Sequence, residues 1–246
     1  MKHIKLFNNE TTYNKWLTSD VYITPYVAKI KSNGNINYQK YIPLPYDAEL
    51  EYLQNSSIYE YIDTGISTYN SMIGVDCVIN LGNYEHDKWV LGYDNYQGGD
   101  TGGFQIGLYN NSLQASMYNT YKTEHSNCNI PYSNSNNNDW YHIIINCLNI
   151  SVSINNNVSA SNIQIDNFGT NGDNIYLYGR NGNLDRSLYA KNTAKIASCK
   201  LYKDNNILVR DFIPVRKDGV GYMFDKVTNQ LFGNNGTGEF VLGPDK

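Results

Sequence analysis

The stretch Asp139–Ala160, DWYHIIINCLNISVSINNNVSA, alternates between strand-forming runs and turn-forming residues. Its first run is rich in aromatic and β-branched residues, which favour β-strands. In the second run, Ile150, Val152 and Ile154 alternate strictly with two serines, so the apolar residues face one way and the serines the other. The asparagines that follow are typical of a turn. The stretch therefore predicts short strands separated by turns.

The same pattern extends over the chain from about residue 48 onward. The connectors between the runs are rich in Asn, Gly, Asp and Ser, and no heptad pattern, long amphipathic helix or repeat of fixed period is visible. Short strands at regular spacing with turn residues between them predict an antiparallel sandwich or barrel. The further strand-like runs are MIGVDCVINL, KWVLGY, GGFQIGLY, LQASMY, NIYLYG, KIASCKLY, ILVRDFI, VGYMF and EFVLG.

The first 45 residues have a different pattern. NNETTYNKWLTSD offers an asparagine N-cap followed by Tyr13, Trp16 and Leu17 at helical spacing, which predicts a short helix. The dipeptide Asn33-Gly34 between two extended runs predicts a β-hairpin, because a type I′ turn needs positive φ at both central residues. One helix and one hairpin bury little surface alone. We therefore expect a module at 1–45 that packs on the main domain or on another subunit.

Composition limits the classes of partner. The formal net charge is −4 and no basic stripe is present, which argues against a nucleic-acid binder. No apolar run approaches the roughly 20 residues needed to span a bilayer. The start, MKHIKLFNNE, lacks the apolar segment of a secretory signal. The 23 tyrosines, together with many asparagines, fit either a surface that contacts partners or the codon bias of an AT-rich genome.

The cysteines are far apart in the sequence and form no C-x-x-C pair. Three of them lie in apolar, strand-like runs, where a free cysteine behaves as a small buried hydrophobe. We expect reduced, structural thiols, with one disulfide or a metal site as the alternative. The four residues are Cys77, Cys128, Cys147 and Cys199.

Patterns for catalysis are missing from the sequence. The E-x-D-x-x-E strand that carries the two carboxylates of some sandwich-fold glycosidases does not occur, and Glu60 and Asp63 are spaced to point to opposite faces. The histidines show no zinc-binding spacing, and no serine lies in a G-x-S-x-G elbow. His142 is expected to have a structural role. The sequence thus predicts a protein that is not an enzyme and needs no cofactor or metal.

The loop DNYQGGDTGG (Asp94–Gly103) is the best candidate for a ligand site. Asp94 and Asp100 offer oxygen ligands for calcium, and glycines let backbone carbonyls approach an ion. Tyr93 and Tyr96 offer flat rings to a sugar. The alternative, a solvated β-turn loop that uses glycine for positive φ, is favoured.

The tail segment GNNGTGEF is glycine-rich but does not fit a phosphate loop. A Walker loop requires Lys and Ser or Thr after its last glycine, whereas Glu239 and Phe240 follow Gly238 here. KVTNQLFGNNGTGEFVLG instead predicts two strands joined by a glycine-rich hairpin. Arg210 and Asp211 point to opposite faces of their strand, so each is expected to find partners on adjacent strands.

Three parts of the sequence resemble a known fold family. EYLQNSSIYEYIDTGI and the stretch quoted first resemble laminin-G-like, concanavalin-A-like domains, in which a tryptophan opens a buried strand and a tight turn follows. The tail from KLYKDNN onward resembles the end of such domains in phages and prophages of Bacteroidetes-type gut bacteria, including crAss-like phages. The resemblance implies a mainly β, two-sheet antiparallel jelly-roll sandwich at 46–246, preceded by the helix-plus-hairpin module.

The first residues have a resemblance of their own. LFNNETTYNKWLTSDVYITPYVAKI is similar to short modules that begin phage virion proteins, with an F-x-x-E-x-x-Y helix and a P-x-V strand. That likeness implies a particle-anchoring module. The docking contacts it implies, with the helix tryptophan included, are Phe7, Tyr13, Trp16, Pro25 and Val27.

These resemblances imply a non-enzymatic bacteriophage virion protein. It would be an auxiliary capsid or head-fibre subunit, assembled in the host cytoplasm, that docks on capsid or other virion proteins and displays its sandwich outward. Virion proteins are usually symmetric oligomers, so a dimer or trimer is expected. One alternative is a lectin for host-surface or mucosal glycans. The other is a glycoside hydrolase of concanavalin-like fold.

Overall fold

The computed structural model divides into two compact units, Met1–Pro45 and Tyr46–Lys246. It describes residues 26–30, 36–40, 44–67, 73–83, 88–94, 103–118, 125–132, 138–145, 150–154, 157–161, 174–182, 193–204 and 207–246.

The first unit contains an antiparallel strand pair, β1 (Tyr26–Ile30) and β2 (Ile36–Lys40), with Ala28 opposite Tyr38. The predicted pairing of the strands on either side of Asn33-Gly34 is confirmed. The predicted helix lies outside the described residues, as do Phe7, Tyr13, Trp16 and Pro25. Whether this unit anchors the chain stays a prediction.

The second unit is built from short strands, and no helix occurs in its described part. In chain order the strands are β3 (Ala48–Glu49), β4 (Leu53–Gln54), β5 (Ile62–Ser67), β6 (Ile73–Asn80), β7 (Lys88–Asp94), β8 (Gly103–Tyr109), β9 (Ser112–Tyr118), β10 (His125–Pro131), β11 (Tyr141–Ile145), β12 (Ile150–Ile154), β13 (Asn157–Ser161), β14 (Asn174–Leu177), β15 (Asn181–Gly182), β16 (Lys195–Lys203), β17 (Ile207–Lys217), β18 (Val220–Asp225), β19 (Gln230–Phe232) and β20 (Val241–Leu242).

These strands form two sheets, which confirms the mainly β, two-sheet prediction. The seven-stranded sheet has the order β10-β9-β8-β7-β14-β5, with β15 beside β7. The eleven-stranded sheet has the order β13-β12-β11-β6-β16-β17-β18-β19, with β3, β4 and β20 attached. Every described pairing is antiparallel except that of β15 with β7.

One apolar core lies between the sheets. Alternate residues of β6 enter it, because successive side chains of a strand point to opposite faces. From the other sheet, alternate residues of β8 enter it in the same way. The residues concerned are Ile73, Val75, Cys77 and Ile79 on β6 and Phe104, Ile106 and Leu108 on β8.

The open edges of the two sheets lie next to one another. β10 lies beside β12 and β13 at one side of the sandwich, and β5 lies beside β19 at the other. An exposed sheet edge presents unpaired backbone groups to other chains. The juxtaposition of edges on both sides covers these groups within the molecule.

The glycine-rich tail does not form the predicted hairpin. β19 pairs with β18 and β20 pairs with β4, so the two strands are not partners. The loop between them instead runs along the edge of the seven-stranded sheet, where Asn235 N donates to Tyr61 O at 2.8 Å and Thr237 N donates to Tyr59 O at 3.2 Å. The side chains of Asn234 and Asn235 accept from Tyr61 N and Asp63 N. Tyr59, Tyr61 and Asp63 provide these hydrogen bonds. A local hairpin between β19 and β20 would have left these backbone groups without the loop as a partner.

The two ends of the second unit meet. Lys246 N donates to Glu49 O at 2.9 Å, and Glu51 N donates to Pro244 O at 2.8 Å. An ion pair of 3.0 Å between Arg216 and Asp245 lies beside them. The segment around β3 and the residues that follow β20 therefore hold each other beside the eleven-stranded sheet.

Asp225 organises the turn between β18 and β19. Its carboxylate is fully buried and accepts hydrogen bonds from Asp211 N at 2.8 Å and Val227 N at 3.1 Å. Thr228 donates to it through both N and Oγ1, at 3.3 and 2.6 Å. A buried carboxylate is stable only when it is hydrogen-bonded or paired in this way.

Arg210 joins the two sheets. It extends from β17, and its Nε donates to Thr64 O of β5 at 3.0 Å and lies 3.6 Å from Oδ2 of Asp225 on β18. Its guanidinium also lies 5.3 Å from the ring centroid of Phe232. The prediction that Arg210 finds partners on other strands is thus confirmed, whereas for Asp211 the structure shows a partner of the backbone N, Asp225.

Cys77, Cys128 and Cys199 are buried, in keeping with the predicted structural role, and Cys77 and Cys199 are free thiols. Cys147 lies outside the described residues. Burial raises the pKa of the Cys199 thiol well above its usual value, and the neighbouring Cys77 adds to this effect. A thiol that stays protonated is a poor nucleophile.

In the described part of the chain, no helix is long and apolar enough to cross a membrane.

Replacing Asp225 with alanine is expected to lower the free energy of unfolding by about 3–5 kcal/mol, because Arg210 and several backbone N–H groups then lose a buried acceptor. Urea titration at fixed temperature measures this quantity. Lys226→Ala, at the exposed neighbouring position, is the matched control. Equal losses in the two variants would contradict the role given to Asp225.

Candidate functional site

The best candidate site is the face of the seven-stranded sheet that points away from the core, here called the polar face. Side chains that alternate with core residues on β5, β7, β8, β9, β10 and β14 form it, and the chain after β14 adds an arginine. It combines aromatic, amide and charged groups. Its members are Tyr61, Asp63, Trp89, Gln105, Tyr109, Gln114, Ser116, Asn129, Asn174, Tyr176 and Arg180.

A β-bulge places Trp89 on the polar face. Leu91 is opposite Ile106, whereas Trp89 is opposite Gly107, so Val90 is the extra residue on β7. Val90 and Leu91 both enter the core, and Trp89 therefore points outward. With strict alternation Trp89 would share the core face of Leu91. Bulges redirect side chains in this manner and are frequent near functional sites.

Trp89 lies at the centre of the polar face. The Cζ atom of Arg180 is 5.3 Å from its ring centroid, and Tyr109 stacks beside it at a centroid distance of 6.3 Å. Arg180 Nη1 donates to Gln105 Oε1 at 2.7 Å. The cation–π contact and the hydrogen bond together fix the arginine over the tryptophan.

The position of Arg180 depends on the turn after β14. Tyr178 has a φ of +66°, a conformation that non-glycine residues seldom adopt, and its Oη donates to Leu53 O at 2.7 Å. The anchored ring ends β14 and redirects the chain. Asn181 Nδ2 donates to Asn174 O at 2.9 Å, which holds the following segment against β14.

A row of buried polar side chains continues from Gln105 across β9 to β10. Gln105 is opposite Ser116, and Gln114 is opposite Asn129, to which its Nε2 donates at 3.3 Å. Gln105 and Gln114 are each 9 % exposed and Ser116 is fully buried. Ser116 Oγ has no hydrogen-bond partner within the described residues. Burying such groups costs free energy unless a partner compensates, so the row can provide hydrogen bonds to a bound molecule or to water.

The half-exposed part of the polar face lies over β14 and β5. The rings of Tyr61 and Tyr176 are 4.7 Å apart with an interplanar angle of 30°. Asp63 Oδ2 accepts from Asn174 Nδ2 at 3.1 Å, and Asp63 Oδ1 accepts from Gly65 N at 2.8 Å. Two aromatic rings therefore lie beside a carboxylate and an amide that are already oriented.

The residues predicted for the glycine-rich loop are not brought together in the described structure. Tyr93 belongs to the core: it is 1 % exposed and packs edge-on against Phe104 at 5.4 Å. Its ring is therefore not on the surface, because Tyr93 follows Leu91 in the alternation of β7. Asp94 is the last residue of β7, and only its backbone is described. Tyr96 and Asp100 lie outside the described residues.

Other predicted residues have defined places. Only the backbone of Val27 is described, and it is opposite Gln39 in the first unit. Glu60 is buried and accepts from Ser56 Oγ and Ser57 N, so it supports the turn before β5. His142 Nε2 lies within hydrogen-bond distance of Asp76 Oδ1, at 2.8 Å, in keeping with a structural role. No cluster of three or more metal-ligating His, Cys, Asp or Glu side chains occurs in the described ranges.

Sequence reasoning did not single out Trp89, Gln105 or Arg180. Trp89 is part of the predicted strand KWVLGY, but without the bulge its face cannot be deduced. The glycines opposite the polar side chains were the available signal: a Cβ on Gly107 would lie 2.8 Å from Trp89 Cε3. Glycine inside a strand often marks a bulge or a close approach.

Comparisons with known proteins define no family for this chain. No family model matches it, and no curated protein matches it. The solved structures similar to it include domains LG4-5 of the mouse laminin α1 chain, with 9 % identity and a TM-score of 0.42, covering 68 % of this chain and 44 % of that one. This chain thus spans less than half of that structure's length.

Two toxin domains show a similar level of likeness. The binding domain of Paraclostridial Mosquitocidal Protein 1 has 12 % identity and a TM-score of 0.37, covering 74 % of this chain and 48 % of that one. The receptor binding domain of botulinum neurotoxin mosaic serotype C/D has 11 % identity and a TM-score of 0.38, covering 89 % and 68 %. These values do not establish a family, so the description of the fold rests on the sheet order given above.

Gly107→Ala tests the close packing at the centre of the polar face. Its Cβ would overlap Lys88 O and stand 2.7 Å from Trp89 Cα, so β7 and Trp89 have to move. We expect the free energy of unfolding to fall by about 1–3 kcal/mol, as for other overpacked sites. Urea titration gives the value, with Ser112→Ala at a partly exposed position of β9 as the control. If the variant were as stable as the parent, the close packing of Trp89 against Gly107 would be contradicted.

Proposed function

We propose that this chain is a non-enzymatic binding protein whose sandwich recognises carbohydrate on the polar face. The observation that carries the proposal is the half-exposed pair of rings, Tyr61 and Tyr176, beside Asp63 and Asn174. The sandwich and its core position these groups on paired strands, which hold side chains more accurately than loops do.

The chemistry of these groups matches that of a sugar. A pyranose ring has one face of C–H groups that packs on an aromatic ring and a rim of hydroxyls that need hydrogen-bond partners. Tyrosine supplies a large, amphipathic surface, and a carboxylate or amide supplies directional acceptors and donors. Farther along the polar face, Arg180 and Gln105 provide further polar groups next to Trp89.

The state of Asp63 supports recognition rather than catalysis. Both of its oxygens already accept hydrogen bonds, one from Asn174 and one from Gly65 N. Glycosidases commonly use two carboxylates that flank the scissile bond. The neighbouring Glu60 is buried, and its carboxylate accepts a hydrogen bond from Ser56 Oγ in the turn before β5. It therefore does not face the same surface as Asp63.

A glycan array followed by titration calorimetry tests the proposal. Tyr176→Ala is expected to weaken binding of the best ligand by about tenfold or more, the loss seen when a central aromatic contact is removed. Tyr59→Ala is the matched control, because Tyr59 is 59 % exposed and does not contribute to the polar face. An array without any bound glycan, or equal losses in both variants, would contradict the proposal.

We further propose that the first unit attaches the sandwich to a phage particle, as an auxiliary capsid or head-fibre subunit. The separation of the chain at Pro45 into a unit with its own strand pair supports a distinct task for residues 1–45. The sequence resemblances of the first unit and of the tail support the virion assignment. Capsid or other virion proteins would then be its partners, and the chain would be a dimer or trimer.

Sedimentation of particles tests this second proposal. The full-length chain produced during infection is expected to sediment with purified particles, and Trp16→Ala is expected to reduce its occupancy severalfold, as for a buried aromatic anchor. Tyr59→Ala again serves as a control that leaves the first unit intact. Recovery of the chain solely in the soluble fraction would refute the virion role. Native mass spectrometry of the same sample gives the oligomeric state.

A further inference from the structure

The loop that covers the edge of β5 contains a chemically labile sequence, Asn235-Gly236. When glycine follows asparagine, little hinders the glycine nitrogen from attacking the side-chain carbonyl carbon. A bond forms between Gly236 N and Asn235 Cγ, and the side-chain nitrogen of Asn235 leaves as ammonia. Water then opens the resulting succinimide at either carbonyl and gives aspartate or isoaspartate. The net change is one water consumed and one ammonia released.

The folded loop holds the two reacting groups apart. The nucleophile is engaged, because Gly236 N donates to Asn234 Oδ1 at 2.9 Å. The electrophile is also engaged, because Asn235 Oδ1 accepts from Asp63 N across the loop at 2.8 Å. Asn235 N is tied to Tyr61 O in the same way. The side chain of Asn235 therefore points toward β5 and not back toward Gly236 N.

Asn234 is central to this arrangement. Its Oδ1 accepts from both Gly236 N and Tyr61 N, and its Nδ2 donates to Gly238 O at 3.0 Å. One side chain thus joins the loop to itself and to β5. Loss of this side chain would free the Gly236 nitrogen.

We propose that Asn235 is a deamidation site that the folded loop suppresses, with Asn234 as the positioning residue that keeps the Gly236 nitrogen from reacting. The reaction proceeds when the loop opens from β5. Its rate therefore reports how often this edge of the sandwich opens.

The isoaspartate product would keep the loop from closing again. Isoaspartate routes the main chain through Cβ and lengthens it between positions 235 and 236. The room for such a change is absent, because a Cβ on Gly236 would overlap Tyr59 O and stand 3.1 Å from Tyr61 Cδ1. The hydrogen bonds from Asn235 N to Tyr61 O and from Thr237 N to Tyr59 O could not both persist. Formation of isoaspartate is therefore a one-way release of the loop.

The first experiment compares the folded and the unfolded protein. The full chain is incubated at mildly alkaline pH with and without urea, and peptide mapping by mass spectrometry follows aspartate and isoaspartate at position 235. The folded chain is expected to react at least about tenfold more slowly, because two hydrogen bonds must open first. Equal rates in the two states would overturn the proposal.

The second experiment separates the role of Asn234 from a general effect on the loop. Asn234→Ala is expected to raise the rate in the folded state severalfold, whereas Asn234→Asp keeps an acceptor for Gly236 N and is expected to restore slow reaction. Thr237→Ala, an exposed change in the same loop, is the control and should leave the rate unchanged. A folded Asn234→Ala variant with the parent rate, or equal rates for the alanine and aspartate variants, would overturn the role of Asn234.

Discussion

The β-bulge at Val90 determines what the polar face contains. Val90 and Leu91 both fill the core, and the one-residue shift turns Trp89 outward onto Gly107. Arg180 then packs over Trp89 and reaches Gln105. A slip of one residue would exchange core and surface along the whole strand. The position of Trp89 on the polar face is thus a consequence of one irregularity in β7.

The two faces of the seven-stranded sheet carry side chains of different polarity on the same strands. The core side of β8 is aliphatic and aromatic, whereas its other side carries Gln105 in a nearly enclosed position. Enclosing an amide costs free energy unless it is hydrogen-bonded, so Gln105 depends on the hydrogen bond that it accepts from Arg180. The fully buried Ser116 hydroxyl is part of the same pattern.

The sequence predicted those features that depend on local patterns. Period-two alternation marked strands such as β6 and β12, and Asn33-Gly34 marked the strand pair of the first unit. Long-range pairing was not accessible in this way. The tail was expected to form a hairpin, yet Asn235 and Thr237 hydrogen-bond to Tyr61 and Tyr59, more than 150 residues earlier in the chain. The outward position of Trp89 was not accessible either, because alternation gives no sign of where a bulge interrupts it.

The adjacent ends of the second unit give it the properties of a cassette. Glu49 and Lys246 are joined by a backbone hydrogen bond, so the entering and leaving chains occupy neighbouring positions at one place on the sandwich. A domain of this geometry can be inserted into a surface loop of a host protein with little disturbance, since the loop does not have to be pulled apart. For the same reason its strands could be permuted, with a short linker across the old ends and a new opening at the exposed Asp218-Gly219 turn. Such a unit is easily moved between proteins while its polar face stays intact.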